Sequence, residues 1–237
     1  MTDDDARSAR VALGLAQVRA RIAAAERAAG RPAGSVRLLL ATKTVPATLV
    51  RAAIGAGVDL IGENRVQELA EKGPELAGLD VEVHLIGHLQ SNKVKAALRW
   101  ATCVESIDSL EIATRLAQRS ADAGHVLDVL VQVNVSGEPT KYGVVPAATS
   151  DLAAAVASLP GLRLRGLMTI GLNSPDEGAV RAGFAHLREL RDAVVEQGDP
   201  ATAQATELSM GMTRDLHHAI QEGATIVRPG TAVFGPR

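Results

Sequence analysis

Two glycine-containing stretches and one lysine have the residue types needed to bind a phosphate and to react with a carbonyl group. Residues 209–213 read Ser-Met-Gly-Met-Thr, and Gly230 is followed by Thr231. Glycines such as Gly211 and Gly230 let the backbone approach a phosphate closely, and the hydroxyls of Ser209 and Thr231 add donors. Lys43 follows the run 38–42, and a desolvated lysine amine can form an imine with an aldehyde. Ordinary turns, helix caps and a solvated lysine are the alternative interpretation.

A long helix and eight strand–helix repeats must position these residues. Val11, Leu15, Val18 and Ile22 form one apolar stripe, which predicts a helix from about Asp5 to Ala29. Eight apolar runs follow, each leading into a helical stretch except the last, which leads into a short tail. The predicted strands are 38–42, 60–62, 81–86, 103–107, 129–135, 164–170, 207–209 and 225–228.

The strand runs are mostly apolar at successive positions, as in parallel strands covered on both faces. Eight such units predict an α/β fold with one (β/α)8 TIM barrel over about 36–237, preceded by the helix at about 5–29. An open, doubly wound sheet is the alternative. We expect a single domain over 1–237, because 237 residues suit one barrel.

In a barrel of this kind, sites lie at the carboxyl ends of the strands, and phosphates often bind after strands seven and eight. Residues 209–213 and Gly230–Thr231 occupy those two positions. Arg228 belongs to the eighth strand, which adjoins the first, so it can reach a ligand held by Lys43. A structural ion pair with Glu63 or Glu105 is equally compatible. A ligand with both a phosphate and an aldehyde fits these features, and pyridoxal 5'-phosphate (PLP) is the commonest such cofactor.

Further residues edge the predicted barrel mouth. Asn64 follows the second strand, Asn134 ends the fifth, and Met168 lies in the sixth, with packing or turn roles as the default for each. His84 and His88 are four apart but lie on a strand and its loop, so they do not share a helical face. We therefore predict no metal site.

Six segments resemble the YggS/PROSC family of PLP homeostasis, or PLP-binding, proteins. They are ATKT at 41–44, IGEN at 61–64, HLIGHLQSNK at 84–93, GLMT at 166–169, LSMGM at 208–212 and VRPGT at 227–231. Their order matches that family along nearly the whole chain.

The resemblance implies a barrel of the alanine-racemase N-terminal-domain type and a PLP-binding and supply role. It implies Lys43 as the imine lysine and Arg228 near the pyridine nitrogen, with a phosphate site that includes Ser209, Gly230 and Thr231. The expected cofactor site also includes Asn64, His84, Met168 and Gly211. Pro229 departs from the family pattern and removes one backbone donor near the expected phosphate. Thr42 stands where serine is common.

Composition excludes several classes of partner. Lys and Arg number 25 against 27 Asp and Glu, and one Trp, one Tyr and two Phe supply no base-stacking platform, so we expect no nucleic-acid binding. The single Cys103 allows no internal disulfide, and residues 1–5 are acidic where a signal peptide is basic. No apolar run approaches the roughly 20 residues of a membrane span. We expect a cytoplasmic, membrane-free protein and a monomer.

Three functions fit these expectations. The first is a non-catalytic PLP carrier that supplies apo PLP-dependent enzymes. The second is a PLP-dependent racemase or decarboxylase, which is disfavoured because barrel enzymes of this type have a second domain and commonly a tyrosine base, whereas Tyr142 is the single tyrosine. The third is a sugar-phosphate enzyme with Lys43 as an aldolase-like amine and Glu63 or Glu105 as its base.

Overall fold

The computed structural model describes residues 3–138 and 140–235, with side chains from Ala6 onward. Its strands are β1 Arg37–Leu38, β2 Leu40–Ala41, β3 Leu60–Glu63, β4 Glu82–Leu85, β5 Cys103–Ile107, β6 Leu127–Gln132, β7 Leu162–Met168, β8 Glu207–Ser209 and β9 Ile226–Val227. Its helices are α1 Asp3–Ala28, α2 Ala47–Gly55, α3 Val66–Leu76, α4 Val94–Ala97, α5 Leu110–Asp122, α6 Thr149–Ala157, α7 Glu177–Glu196, α8 Leu216–Gln221 and α9 Thr231–Phe234. Turns of 3₁₀ helix at Ser91–Lys93 and Pro146–Ala148 precede α4 and α6.

The strands form one parallel sheet that returns to its starting point. β1 and β2 are successive parts of one run, interrupted at Leu39. β1 pairs with β9, β2 pairs with β3, and the remaining strands pair in chain order, all parallel. The run 37–41 therefore joins the last strand to the second strand unit, so the predicted (β/α)8 barrel is confirmed over the open-sheet alternative.

Aliphatic side chains fill both sides of the barrel wall. Leu39, Leu60, Ile86 and Ile226 form one buried cluster, and the larger cluster lies between the strands and the surrounding helices. Gly62 is required by this packing, because a Cβ atom there would lie 2.3 Å from Leu39 Cδ2. Burial on both faces is the reason that the strand runs are apolar at successive positions.

The N-terminal helix α1 lies against α2, α8 and α9 on the outside of the barrel. The predicted stripe of Val11, Leu15, Val18 and Ile22 is buried. Gly14 permits the close approach to α9, because a Cβ atom there would lie 2.9 Å from the Val233 Cα atom. In the part of the chain that the structure describes, we find no helix both long and apolar enough to cross a membrane.

Several boundaries differ from the sequence prediction. The helix expected from Thr213 begins at Leu216, because the Asp215 carboxylate accepts a hydrogen bond from the Met212 N–H group at 2.6 Å and closes a turn first. The strand expected to reach residue 135 ends at Gln132, where the Val144 N–H group bonds to the Gln132 carbonyl at 2.8 Å. The first bond delays the start of α8, and the second belongs to a parallel β-bridge between Val133 and Val144 that follows β6.

Candidate functional site

Lys43 and the loop after β9 meet at the carboxyl edge of the barrel. Lys43 lies in an exposed turn two residues beyond β2. The Ala41 N–H group donates to the Pro229 carbonyl at 2.9 Å, directly before Gly230. Pro229 thus serves as a backbone acceptor for the lysine strand, although it lacks an N–H donor. This bond brings the chain just before Lys43 close to the chain just before Gly230.

The two glycine-containing loops also meet each other. The Thr213 and Thr231 hydroxyl oxygens are 3.3 Å apart. The backbone N–H group of Arg228 donates to the Gly211 carbonyl at 2.9 Å. Gly211 has φ +86°, and a Cβ atom there would lie 2.4 Å from the Ala219 Cβ atom. Thr231 begins α9, and the first N–H groups of a helix have no acceptor within it. The loops together present hydroxyl and backbone donors at one place.

A buried polar network crosses the barrel interior beneath these loops. Ser209 donates to Glu105 Oε2 at 2.5 Å, and the other Glu105 oxygen lies 2.7 Å from His84 Nδ1. Arg228 donates to the Ser209 hydroxyl at 2.8 Å and to the Thr169 carbonyl at 2.6 Å. The Ser209 proton is therefore engaged by Glu105 in this arrangement, and the Ser209 oxygen is an acceptor for Arg228.

Opposite charges make this network compatible with burial. Burial alone would raise the pKa of Glu105, but the hydrogen bond and charge of His84, the charge of Arg228 and the Ser209 hydroxyl outweigh it, so the pKa is lowered. Burial alone would lower the pKa of His84, but contacts with Cys103, Glu105 and Glu82 raise it well above 6.5. Burial lowers the pKa of Arg228, against the attraction of Glu105. Glu105 thus lies between Arg228 and His84, and both residues favour its carboxylate form.

A second polar cluster lies between the barrel wall and α3, next to Lys43. Lys72 Nζ donates to Glu63 Oε1 at 2.6 Å and to the Thr42 carbonyl at 2.7 Å. The Thr42 hydroxyl donates to the same Glu63 oxygen at 2.5 Å. Burial raises the pKa of Glu63, while Lys72 and Thr42 oppose the rise. Glu63 is thus bonded to Lys72, and Arg228 reaches Glu105 only through Ser209, so a direct ion pair of Arg228 is not formed with either glutamate.

The structure also places the remaining predicted residues. Asn64 is half-buried after β3. A Cβ atom on Gly87 would lie 1.9 Å from the backbone carbonyl oxygen of Asn64. Met168 is fully buried and clusters with Cys103 and Leu130 inside the barrel. Asn134 donates to the carbonyls of Glu138 and Lys141 and so braces its own loop.

Lys72 and Thr169 were missed by sequence reasoning. The i, i+4 spacing of Glu68 and Lys72 on α3 was a usable signal for Lys72. The role of Thr169 had no signal, because Arg228 bonds to its backbone carbonyl.

The rim of the mouth carries a stacked ring pair and a cleft. The rings of His88 and Tyr142 have centroids 3.9 Å apart at 10°, and His88 Nδ1 lies 3.2 Å from Asp108 Oδ2. The cleft beside them has a volume of about 570 Å³ and is also lined by Asn64 and Lys93. Tyr142 is therefore placed on the rim against His88.

Comparison with known proteins identifies the fold family. The protein-family model for the alanine racemase N-terminal domain matches residues 13–237 of this chain. The chain is 45% identical over 227 residues to the pyridoxal phosphate homeostasis protein of Pseudomonas aeruginosa, covering 96% of each. An unknown protein from Bifidobacterium adolescentis has a similar crystal structure, with a TM-score of 0.92, 44% identity and coverage of 99% of this chain and 97% of that one.

A cofactor-bound structure is also similar. PipY of Synechococcus elongatus PCC7942, solved with PLP bound, has a TM-score of 0.83 and 34% identity to this chain, covering 95% of this chain and 100% of PipY. The identity and coverage of these relatives exceed what a shared barrel alone requires. The chain therefore belongs to the pyridoxal phosphate homeostasis protein family, with the barrel of the alanine racemase N-terminal domain.

Proposed function

We propose that this protein binds PLP as an imine on Lys43 and acts in PLP homeostasis, holding the cofactor for supply to apo enzymes without catalytic turnover. The observation that carries the proposal is the hydrogen bond from Ala41 to Pro229, which sets the turn of Lys43 beside the Gly230–Thr231 loop. On this proposal an amine and a set of phosphate donors would share one mouth. The relatives' name and the PLP in PipY support the same ligand.

The residues present fit PLP in chemical type. The loops of Gly211 and Gly230–Thr231 would hold the phosphate with backbone N–H groups and the Thr231 hydroxyl. Gly211 lets this loop lie directly against α8, since a Cβ atom there would meet the Ala219 Cβ atom at 2.4 Å. Arg228, buried and hydrogen-bonded to Ser209, would face the pyridine ring. When bound through an imine, PLP would supply an electron-withdrawing ring, and an arginine at its nitrogen would weaken that ring as an electron sink by keeping the nitrogen unprotonated.

Ser209 contributes by a different route from the one expected. Its hydroxyl donates to Glu105 and accepts from Arg228. We propose that Ser209 orients Arg228 and that the phosphate is held mainly by the backbone of its loop. His84 supports the same network from the other side of Glu105, and Met168 shapes the barrel interior below it.

Two enzyme functions are less well supported by this geometry. A racemase needs a second acid or base opposite the lysine, and Tyr142 stacks on His88 at the rim. A sugar-phosphate aldolase would need an accessible carboxylate, whereas Glu63 and Glu105 are both buried, the first bonded to Lys72 and the second to His84 and Ser209. Both functions remain outcomes of the experiments below.

The first experiment tests the covalent site. Purified protein is mixed with PLP, its visible absorption is recorded, and the adduct is fixed with borohydride and mapped by mass spectrometry. We expect a visible imine band and a modified Lys43, with loss of both in Lys43→Ala and retention in the matched control Lys95→Ala on α4. Mapping of the adduct to another lysine would overturn the assignment.

The second experiment tests the role. Holo-protein is incubated with an apo PLP-dependent enzyme, and recovered activity of that enzyme is followed beside chiral analysis of added amino acids. We expect recovery of the recipient's activity, with racemisation and decarboxylation at the level of free PLP. Lysine-dependent turnover well above free PLP would replace the carrier by an enzyme. If the imine band appears but the recipient enzyme recovers no activity, the protein does not deliver PLP, and storage of PLP is the role that fits.

A further inference from the structure

We infer that Glu68 and Lys72 of α3 are positioning residues for Lys43, because they bind the backbone on both sides of that lysine. The inference rests on the proposed imine at Lys43 and adds two residues of α3 to its mechanism. Their role would be to hold the turn of residues 42–44 in the geometry in which the Lys43 amine meets an aldehyde.

The residue before Lys43 is fixed by Lys72. Lys72 Nζ donates to the Thr42 carbonyl at 2.7 Å and to Glu63 Oε1 at 2.6 Å. Its side chain is 10% exposed, and that of Glu63 is 1% exposed. The Thr42 hydroxyl donates to Glu63, so the carbonyl and the hydroxyl of Thr42 are both hydrogen-bonded within this cluster. A buried ammonium with two acceptors of this kind holds a backbone carbonyl in one direction.

The residue after Lys43 is fixed by Glu68. The Glu68 carboxylate accepts a hydrogen bond from the Thr44 N–H group and lies 3.5 Å from Lys72 Nζ. Thr44 has φ +60°, a left-handed conformation that a β-branched residue seldom adopts. Such a conformation persists only where the surroundings determine it, and it is typical of functional sites. The bond from Thr44 to Glu68 supplies such a determinant.

The two anchors act on an otherwise exposed lysine. The side chain of Lys43 is exposed, so the direction in which it leaves the chain depends on its backbone. Helix α3 presents Glu68 and Lys72 on one face at i, i+4, and they reach Thr44 and Thr42 respectively. One helical face thus holds both neighbours of the proposed imine lysine.

The alternative is that the cluster only attaches α3 to the barrel. The two roles predict different losses. Attachment alone would lower stability and PLP content together. Positioning would slow covalent capture of PLP while the phosphate loops still retain it.

The test compares Glu68→Ala with Glu71→Ala, an exposed position on the same helix. Each variant is mixed with PLP, and three quantities are measured: the rate of appearance of the visible imine band, the total PLP retained after gel filtration, and the fraction fixed on Lys43 by borohydride. Melting temperature and far-ultraviolet circular dichroism report the fold. Glu68→Gln keeps an acceptor oxygen for Thr44 and is the rescue variant.

For Glu68→Ala we expect imine formation slowed by about tenfold to a hundredfold, the range typical of a misplaced reacting group. Total PLP after gel filtration and melting temperature should change little, the borohydride-fixed fraction should fall, Glu68→Gln should restore most of the rate, and Glu71→Ala should match wild type. A wild-type rate in Glu68→Ala, or equal falls in rate, total PLP and melting temperature, would overturn the inference.

Two further outcomes are also decisive. Should Glu68→Ala not fold, Glu68→Asp, which keeps the charge but withdraws the carboxylate by one methylene, takes its place with the same criteria. If wild-type protein gives no Lys43 adduct, the proposed function fails. If wild type forms the adduct and the variants form it equally fast, only the positioning role fails.

Discussion

Ser209 donates a 2.5 Å hydrogen bond to Glu105, although the two residues lie on β8 and β5, three positions apart in the sheet. This contact can form only across the barrel interior. Arg228 bonds to the same hydroxyl, and His84 bonds to the other carboxylate oxygen. One buried carboxylate thus connects the proposed ring-binding arginine to a histidine on the opposite wall.

Replacement of Glu105 by glutamine should destabilise the fold strongly. Glu105 is fully buried, and its loss would leave Arg228 and the cationic form of His84 without their shared buried counter-ion. Breaking a buried pair in this way costs about 3–5 kcal/mol. Urea unfolding of the apo protein measures the change.

The matched control is Glu207→Gln on β8, whose carboxylate pairs with Arg165 at 3.1 Å near the surface. That partly exposed pair should contribute about 0–1 kcal/mol. Similar losses of unfolding free energy in both variants would show that Glu105 does not stabilise the buried charges of Arg228 and His84.

Stability should fall as pH rises above 6.5, because His84 titrates. Its pKa is raised well above 6.5 by Cys103, Glu105 and Glu82, so the folded state binds the proton more tightly than the unfolded chain does. The stabilisation is complete below 6.5 and is lost as pH rises through the higher folded pKa. The urea midpoint of apo protein between pH 6 and 8.5 checks this.

Substitution isolates the histidine responsible. His84→Gln should flatten the dependence of the midpoint on pH, whatever its effect on the midpoint itself. His125→Gln, at an exposed position, should keep the wild-type slope. A slope unchanged in His84→Gln would assign the dependence to other groups.

Much of the fold was predictable because burial on both faces of the strands leaves a direct record in sequence. The apolar runs gave eight strand units, and the stripe of Val11 to Ile22 gave α1. The interruption at Leu39 was not predictable, since the run 37–41 must serve two neighbours, β9 and β3, and apolarity does not encode that division.

The places of the proposed site residues at the strand ends were predictable, but their hydrogen bonds were not. Lys43, Gly211 and Gly230 lie at the mouth because strand ends in a parallel barrel share one edge. The partner of Ser209 was not predictable, because a contact between β8 and β5 depends on barrel closure and on side-chain direction. The pairing of Glu63 with Lys72 likewise depends on how α3 lies against the wall.

Gly211→Ala should destabilise the protein and weaken its hold on PLP. The residue has φ +86°, and the added Cβ atom would meet the Ala219 Cβ atom at 2.4 Å. Left-handed backbone costs roughly 1–2 kcal/mol, and overpacking adds typically 1–3 kcal/mol. Because the loop must move away from α8, the PLP dissociation constant should rise as well.

Gly198→Ala separates the two costs. Gly198 has φ +74° with no atom within 4 Å of the added Cβ position, so only the backbone cost applies. Unfolding free energies and PLP titrations of both variants check the comparison. Equal losses would show that the loop of Gly211 accommodates the methyl group without a shift.

Arg228→Ala should weaken PLP binding by about 1.5–3 kcal/mol, the cost of losing a charged hydrogen-bond partner, and should perturb the imine spectrum. Ser209→Ala should cost less PLP affinity, about 0.5–1.5 kcal/mol, because backbone donors share the phosphate. The structure adds a second expectation for Ser209→Ala, since its hydroxyl also joins Glu105 to Arg228. Leaving those buried groups short of a partner should lower stability by about 1–3 kcal/mol.

Ser209→Ala is therefore expected to lose at least as much folding stability as PLP affinity, whereas Arg228→Ala should show a larger change in PLP affinity and spectrum. PLP titrations monitored in the visible, beside urea unfolding of apo protein, give both quantities for each variant. Arg163→Ala, which removes an exposed pair with Asp128, is the matched control for Arg228→Ala and should change neither quantity appreciably. An unchanged spectrum and affinity in Arg228→Ala would place the arginine outside the cofactor site. A larger affinity loss in Ser209→Ala than in Arg228→Ala would instead return the Ser209 hydroxyl to the phosphate.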